Sequence, residues 1–561
     1  MAESTEGSNS EKGPMTYKLI FIDFLKTTSI RGPPRIIRTK HKLWRLLYSF
    51  IFMFVLGTNC FCIWTTIGDY LAYPVISQSY IIHSDMVSDR VEHFPDITVC
   101  DINAPQPQYA HPNGSLTELG IEAEVFLRMI LTNIDQILGG EPEKDLNKLN
   151  MYELDLLRIQ KKEQFLIENN TQGLELMEMF YSTRGYLQQY TRSQRYQIGH
   201  RKEDFIVDCK SLDWYVSDQE TCNMTRILLH QDLGFPNLNC YTIQLQTQPF
   251  DMVKTNGVSL VLFLGPPGDF LPEDPPSPVP LDSGAVVYLH EHNTMPFQQT
   301  SFNIPAGFKT TVHLDVSKVM KLKNPYSTCS DSIELLFKNL DGDPYKYTRD
   351  ACLAENMQKC MIKNCKCIID EVPAIENVSY CLKTQSDSNI VKENIKCMKR
   401  MKSPKHIANC ALGEICLDPC EKYIYKPRLS HTEWPQENKQ LPVYNEFIRG
   451  GPHQVVYHEY EALLYENSPN MTSSERMNAL KQLNLIKESF IKLDVVLNSK
   501  DIVAFSDKPF YTGLSVLSVI ASSLIFWIGF TFFSLIEILE CLFHMVLSCV
   551  SQGNKKPSSV H

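Results

Sequence analysis

The side chains with the most telling spacing in this chain lie near its carboxy terminus. From Pro509 to Ile536 the sequence carries no charge, and it continues apolar past Glu537 and Glu540 to about Val550. On one helix at 100° per residue, Ser515, Ser518, Ser522, Gly529, Glu537, Glu540 and His544 fall within an arc of about 100°, with Leu, Ile, Phe and Trp opposite. A carboxylate facing lipid is costly, so such groups face a bundle interior or water. The stripe reads either as a helix seam packed through small residues or as the wall of an aqueous cation path. Thr531 lies roughly opposite the stripe. For Thr531 to share such a wall, the helix must break near Gly529 and present backbone carbonyls, which a membrane tolerates where backbone lines water.

A path of this kind needs spans to hold it. A second apolar run, Leu46–Ile67, has 22 residues and no charge. As a helix it is roughly 33 Å long, enough to cross a bilayer core. About 45 mostly polar residues precede it, which argues against a cleaved signal peptide. Arg31, Arg35, Arg38, Lys40, Lys42 and Arg45 crowd its amino-terminal side, and Lys555 and Lys556 follow the second run. Both termini therefore read as cytoplasmic in a plasma-membrane protein. The expected segments are a cytoplasmic 1–45, a transmembrane 46–67, an extracellular 68–508, a transmembrane and pore segment 509–550, and a cytoplasmic 551–561. Two spans cannot enclose a pore, so conduction requires several chains.

The rest of the sequence agrees with that placement. The chain has 561 residues, 43% apolar and 21% charged, with a formal net charge of −10. That profile excludes a disordered or collagen-like protein and offers no basic excess for nucleic acid. Fourteen of the 18 cysteines lie between the two runs, an even set that suits disulfides outside the cell. Cys60, Cys62, Cys541 and Cys549 stay in or beside the runs. Sequons at Asn113, Asn169, Asn223, Asn377 and Asn470 share the same middle. There, Gly257–Leu264 and Gly284–His290 read as buried strands flanking a Pro-rich loop at Pro266–Pro280. Residues 115–195 read as helices, and 330–420 as a disulfide-stapled helical column whose helix-like start, Tyr345–Cys360, precedes loop-rich sequence. Zinc is the competing use of the close pair Cys365 and Cys367. His200 with Asp204, and His290 with Glu291, could be posed as catalytic pairs. No nucleophile motif, phosphate loop or metal-ligand spacing accompanies them, so no enzyme, cofactor or metal is expected.

Ordered blocks along the chain then resemble the degenerin/epithelial sodium channel family. They are TTSIRGPPRII before the first run, YLAYP and FPDITVC after it, GHRKEDFIVDC, NCYTI, GVSLVLFL, LHEHNTMPF, FNIPAGF, NPYSTC, YTRDACL and CLDPCEKYIYKPRLSHTEWP. The resemblance implies an α+β membrane protein with two transmembrane helices. It also implies a disulfide-rich, hand-like extracellular domain of palm, β-ball, finger, thumb and knuckle, in a homo- or heterotrimer around a pore. It implies sodium permeation blocked by amiloride. By similarity the disulfides are Cys100–Cys240, Cys209–Cys222, Cys329–Cys420, Cys352–Cys416, Cys360–Cys410, Cys365–Cys397 and Cys367–Cys381. Asn356 stands where relatives often have a cysteine, and Cys360 lies one helical turn further on.

The same resemblance assigns roles and exposes departures. The selectivity belt, small at its middle position in relatives, aligns here with Gly529, Phe530 and Thr531. The cytoplasmic His-Gly gating pair aligns with Arg31 and Gly32. The polar stripe puts Ser515, Ser518, Ser522, Glu537 and Glu540 on the pore and gate, and the resemblance puts Ser518 at the position where bulky residues hold relatives open. Proton-gated relatives carry a His-His pair just outside the first span, whereas this chain has His83 alone in that stretch. Relatives gated by FMRFamide-like peptides have a long finger, and 139 residues separate Cys100 from Cys240 here. The expected stimulus is an amidated neuropeptide; proton, bile-acid, mechanical or constitutive gating, or a non-conducting accessory role, are the alternatives. A trimeric ATP-gated channel shares the topology but would need phosphate-binding lysine clusters near both spans, which are missing here.

Overall fold

The computed structural model describes residues 17–83, 94–102, 128, 130–138, 146–181, 188, 200–213, 225–230, 239–245, 255–265, 283–297, 301–330, 333–339, 342–369, 375, 378–383, 388–401, 410, 416–499 and 501–553. The Pro-rich loop, Cys222 and the sequons at Asn113, Asn223 and Asn377 lie outside them. The elements in chain order are α1 (Tyr17–Thr27), α2 (Pro33–Arg38), α3 (Lys42–Leu71), β1 (Val75–Ile82), β2 (Asp96–Asp101), α4 (Met151–Ile167), α5 (Thr171–Tyr181), α6 (Lys202–Phe205), β3 (Ile206–Asp213), β4 (Thr225–His230), β5 (Cys240–Leu245), β6 (Thr255–Phe263), β7 (Gly284–His290), β8 (Ser301–Pro305), β9 (Phe308–Met320), α7 (Arg349–Cys365), α8 (Ser388–Met401), β10 (Glu421–Glu433), α9 (Gln440–Phe447), α10 (His458–Ala462), α11 (Ser473–Gln482), α12 (Leu485–Ser489), β11 (Phe490–Leu497), β12 (Ile502–Pro509), α13 (Gly513–Ile528) and α14 (Phe532–Gly553). They form two compact units, 79–506 and a helical unit of 1–78 with 507–561.

The unit 79–506 is built on two sheets. In the larger, β9 carries β10 antiparallel along its whole length on one side and β11, then β12, parallel on the other. β6 and β3 extend it beyond β11, both antiparallel. The second sheet has the order β4-β5-β2-β7-β8 and is antiparallel throughout. β6 reads as an unbroken apolar run because both of its faces are buried. Val258, Leu260 and Leu262 meet Ile97, Val99, Ile243 and Val287 of the second sheet. Val261 and Phe263 point the other way, into a cluster with Tyr444 of α9, Tyr457 just before α10, Tyr460 of α10 and Phe490 of β11. Each such side chain removed from water contributes about 1.5–3 kcal/mol. Gly257 allows β6 to lie this close to β11, since a Cβ there would be 2.1 Å from the Val495 carbonyl oxygen.

The helical column follows from local signals. Thr348 caps α7 by accepting from the Ala351 N–H, and Lys366, in the left-handed region at φ 58°, ends the helix. Disulfides leave this helix at three levels, as Cys352–Cys416, Cys360–Cys410 and Cys365–Cys397. Cys367–Cys381, Cys100–Cys240 and Cys329–Cys420 complete the described set. Cys365 and Cys367, weighed above as zinc ligands, are thus both disulfide-bonded. Asn356 is buried and donates from Nδ2 to Cys416 Sγ at 3.3 Å. It packs beside the Cys352–Cys416 disulfide. Met361, Val391, Ile395 and Met398 bury one side of the column against Phe165, Leu176 and Met177 of α4 and α5.

The helical unit exposes many of its large apolar side chains. α3 has 30 residues and exposes Phe50, Met53, Phe54, Phe61 and Trp64. It is long and apolar enough to cross a membrane. α13 and α14 meet the same criteria only as a pair, bent by 78°. One continuous helix was the basis of the polar stripe, and the structure replaces it with two. A single rotational phase therefore does not connect Ser515, Ser518 and Ser522 with Glu537, Glu540 and His544. The break falls at 529–531, where sharing of a wall by Thr531 requires it.

Candidate pore segment

α13 begins with reciprocal capping. Thr512 Oγ1 accepts from the Ser515 N–H at 3.2 Å, and Ser515 Oγ accepts from the Thr512 N–H at 2.9 Å. Ser515, expected on the pore wall, thus has its hydroxyl engaged at the helix start. Along the helix, Val516 and Ile528 are buried and Ser523 is half-buried, donating from Oγ to Asn59 Oδ1 of α3 at 2.8 Å. Ser518 and Ser522 lie on a different face and are exposed in this chain.

The break has a local cause. Gly529 sits in the left-handed region at φ +66°, which ends a helix and which only glycine adopts freely. The Gly529 N–H still donates to Ile525 O at 3.0 Å, and the Phe530 N–H reaches back to Leu524 O at 3.2 Å. Two residues later a new helix is capped. The Thr531 N–H donates to Ser534 Oγ at 3.1 Å, and the Ser534 N–H donates to Thr531 Oγ1 at 3.4 Å. Helix-ending and helix-starting chemistry are thus packed into Gly529-Phe530-Thr531.

A loop from the amino-terminal region plugs this break. The Arg31 N–H donates to Ile528 O at 2.9 Å, satisfying a helix-end carbonyl that has no partner in α13. Arg31 also lays its aliphatic stem over Gly529, where a Cβ would be 2.9 Å from Arg31 Cγ. The neighbouring Gly32, at φ +127°, lies under the Phe52 ring of α3. Glu537 Oε2 accepts from Thr28 Oγ1 at 2.9 Å, the Ser29 N–H at 2.8 Å and Ser29 Oγ at 3.2 Å. Ser29 Oγ is also 2.7 Å from the fully buried Ser534 Oγ. Glu537, expected on the pore wall, is therefore turned to the amino-terminal loop, because three donors there solvate its carboxylate better than an apolar setting.

Below the break, α1 and α14 border a cavity of about 680 Å³ whose lining includes Phe24, Glu537, Glu540, Cys541 and His544. Glu540 and His544 are 3.9 Å apart, one turn from each other on α14. Sequence reasoning missed Thr28, Ser29, Asn59, Ser523 and Ser534. A usable signal was present in Asn59, a carboxamide inside an apolar run, which needs a partner. The histidine pairs weighed for catalysis are separate structural features of the 79–506 unit. His200 is buried 2.5 Å from Asp101, not against Asp204, and stacks on Phe205. His290 uses Nε2 on Thr98 Oγ1 at 2.8 Å and turns Nδ1 to the Glu291 carbonyl oxygen and Thr294.

Comparison with known proteins places this architecture. The chain is 23% identical over 405 residues to the FMRFamide-activated amiloride-sensitive sodium channel of Cornu aspersum, the match covering 62% of each chain. It is 21% identical over 582 residues to the epithelial sodium channel subunit alpha of Homo sapiens, covering 95% of this chain and 78% of that one. Against the epithelial sodium channel subunit beta of Neoceratodus forsteri it is 23% identical over 547 residues, covering 86% of this chain and 76% of that one. The family description amiloride-sensitive sodium channel matches residues 24–541, from within α1 through the break and into α14. The protein thus belongs to the amiloride-sensitive sodium channel, or degenerin/epithelial sodium channel, family of ion channels.

Proposed function

We propose that this chain is the pore-forming subunit of a trimeric, sodium-selective, amiloride-sensitive plasma-membrane channel. α3 and the α13–α14 pair are its two spans, both termini are cytoplasmic, and 68–508 is the hand-like extracellular domain. Gly529-Phe530-Thr531 is the selecting segment, Ser518 and Ser522 belong to the gate, Glu540 lines the inner path, and Arg31-Gly32 is the gating pair. The observation that carries this reading is the capped helix break at Gly529, held by the amino-terminal loop through Arg31 and Ile528. Three copies of this segment present Gly529 carbonyls and Thr531 hydroxyls to a partly dehydrated cation. Coulomb attraction scales as 1/r, so ring width decides how strongly the smaller ion is favoured. Phe530 sets that width by its packing behind the belt.

The stimulus in this reading is an amidated neuropeptide. Two facts support it: the name of the Cornu aspersum relative and the 139 residues between Cys100 and Cys240. The test is current from cells expressing this chain alone and with related subunits. Ser518→Cys treated with a positively charged thiol reagent is expected to carry large sustained current, and Phe530→Ala or Phe530→Ser to shift the sodium reversal potential. Confirmed modification at position 518 without current removes the pore reading. Conduction by both Phe530 variants with an unchanged reversal potential removes Phe530 from the belt. A channel that opens under another stimulus and ignores amidated Phe-Met-Arg-Phe peptides ends the peptide reading and leaves the family intact.

A further inference from the structure

α3 meets the region of the break at two places on one face. Phe52 and Asn59 are seven residues apart, about two helical turns, so their side chains point the same way. Phe52 covers Gly32, next to the Arg31 N–H that caps Ile528. Asn59 accepts the Ser523 hydroxyl at 2.8 Å, six residues before Gly529. Asn59 is 2% exposed, and it is the buried residue of α3, whose other side chains are exposed or half-buried. A carboxamide in an apolar run is costly unless it is partnered. The hydroxyls of Thr58, Thr65 and Thr66 bond carbonyls of their own helix. Asn59 instead reaches across to the next one.

We propose that Asn59 is a positioning residue for the selecting segment. Its hydrogen bond to Ser523 and the Phe52–Gly32 packing close a ring that runs through α3, α13, Ile528 and Arg31. Two helices joined at two levels cannot slide past each other without breaking one joint. A shift of α3 therefore reaches Gly529 both from above, through α13, and from the side, through Arg31. The inference rests on the pore reading above and adds to it the element that sets the belt's geometry.

The experiment uses the full chain carrying Ser518→Cys, opened with the positively charged thiol reagent, with surface number measured by labelling. The readouts are the sodium-over-potassium permeability ratio and the rate at which the reagent modifies position 518. Asn59→Leu and Ser523→Ala are each expected to change one or both by about threefold, the scale of a single intramembrane hydrogen bond. The double variant is expected to match the single variants rather than their product. Ser523→Thr, which keeps the hydroxyl, should behave like the parent, and Thr58→Val should change neither readout. Ser523→Ala removes one oxygen from a helix, so it reports even where Asn59→Leu fails to reach the surface. Single variants with parental readouts, or effects that multiply, overturn the inference while the parental current upholds the pore. Loss of all current in the parent overturns both.

Discussion

The two units are inside out with respect to each other. In the 79–506 unit the buried residues are mostly apolar, among them Ile97, Leu260, Leu262, Val287, Ile491 and Leu493, and all six described disulfides lie there. In the helical unit the well-buried residues include Thr28, Asn59 and Ser534, while Phe50, Phe54, Phe61, Trp64 and Phe526 are exposed. Its described cysteines Cys60, Cys62 and Cys541 are free. The difference follows from the solvent each unit is made for. In water, burial of apolar area drives the fold; against lipid that drive disappears, and hydrogen bonds and small residues hold helices together. The 79–506 unit should therefore fail when its packing is disturbed, and the helical unit should tolerate volume changes but respond to loss of single polar groups.

Matched substitutions break or sharpen that contrast. The largest effect belongs to Gly257→Ala, since its Cβ would meet the Val495 carbonyl oxygen at 2.1 Å and force β6 off β11. A loss above about 4 kcal/mol is expected, seen as absence of mature protein at the surface. Gly68→Ala in α3 meets nothing within 4 Å, so normal surface expression is expected. Equal expression of the two variants would erase the contrast.

Next is the paired change Cys352→Ser with Cys416→Ser. It opens a loop of sequence separation 64 and should cost about 2–5 kcal/mol, read as a lower unfolding temperature in detergent. Cys60→Ser with Cys62→Ser in the helical unit should leave that temperature in place. An equal drop from both pairs would assign the cysteines in α3 a structural bond.

A smaller effect depends on pH. Burial holds His290 below the usual histidine range, against the opposing pull of Asp96 and with a minor contribution from His292. The unfolded chain then takes up a proton at a pH where folded His290 does not. Stability from this group is present above the ordinary histidine value of about 6.5 and is lost as pH falls from there through the folded value. The slope is at most about 1.4 kcal/mol per pH unit. His290→Gln should flatten the unfolding temperature between about pH 6.5 and 5. A slope unchanged by this substitution would assign the acid sensitivity to another group.

The smallest effect is expected at the surface of the column. Lys396 and Glu393 form an exposed pair at 2.9 Å on α8, and Lys396→Met should change stability by less than about 0.5 kcal/mol. A larger loss would show that charge, as well as packing and disulfides, holds this unit.

Much of the architecture was legible in single runs of sequence. Leu46–Ile67 announces α3 because an uncharged apolar run of that length is far longer than a strand and reads as one helix, and α3 extends only a few residues beyond it at each end. Gly257–Leu264 and Gly284–His290 announce β6 and β7, since a strand buried on both faces has no polar alternation to hide it. The direction of Glu537 was not legible. Helical phase was extended through Gly529, and phase carries no information past a left-handed residue. The buried His200 was likewise paired with its sequence neighbour Asp204 when the fold brings Asp101 to it from β2.

What the sequence determined by itself are properties that depend on one residue and its near neighbours. The long apolar helix is set by length and hydropathy, the break by glycine's access to positive φ, and the helix starts by Thr512 and Thr531. Only the tertiary structure decided that the Arg31 N–H would cap Ile528, that Thr28 and Ser29 would take the Glu537 carboxylate, and that Asn59 would hold Ser523. Those partners lie hundreds of residues apart, 464 in the case of Asn59 and Ser523. A donor's chemistry states that it needs an acceptor. Which acceptor it receives depends on how the helices pack, and that is a property of the whole chain.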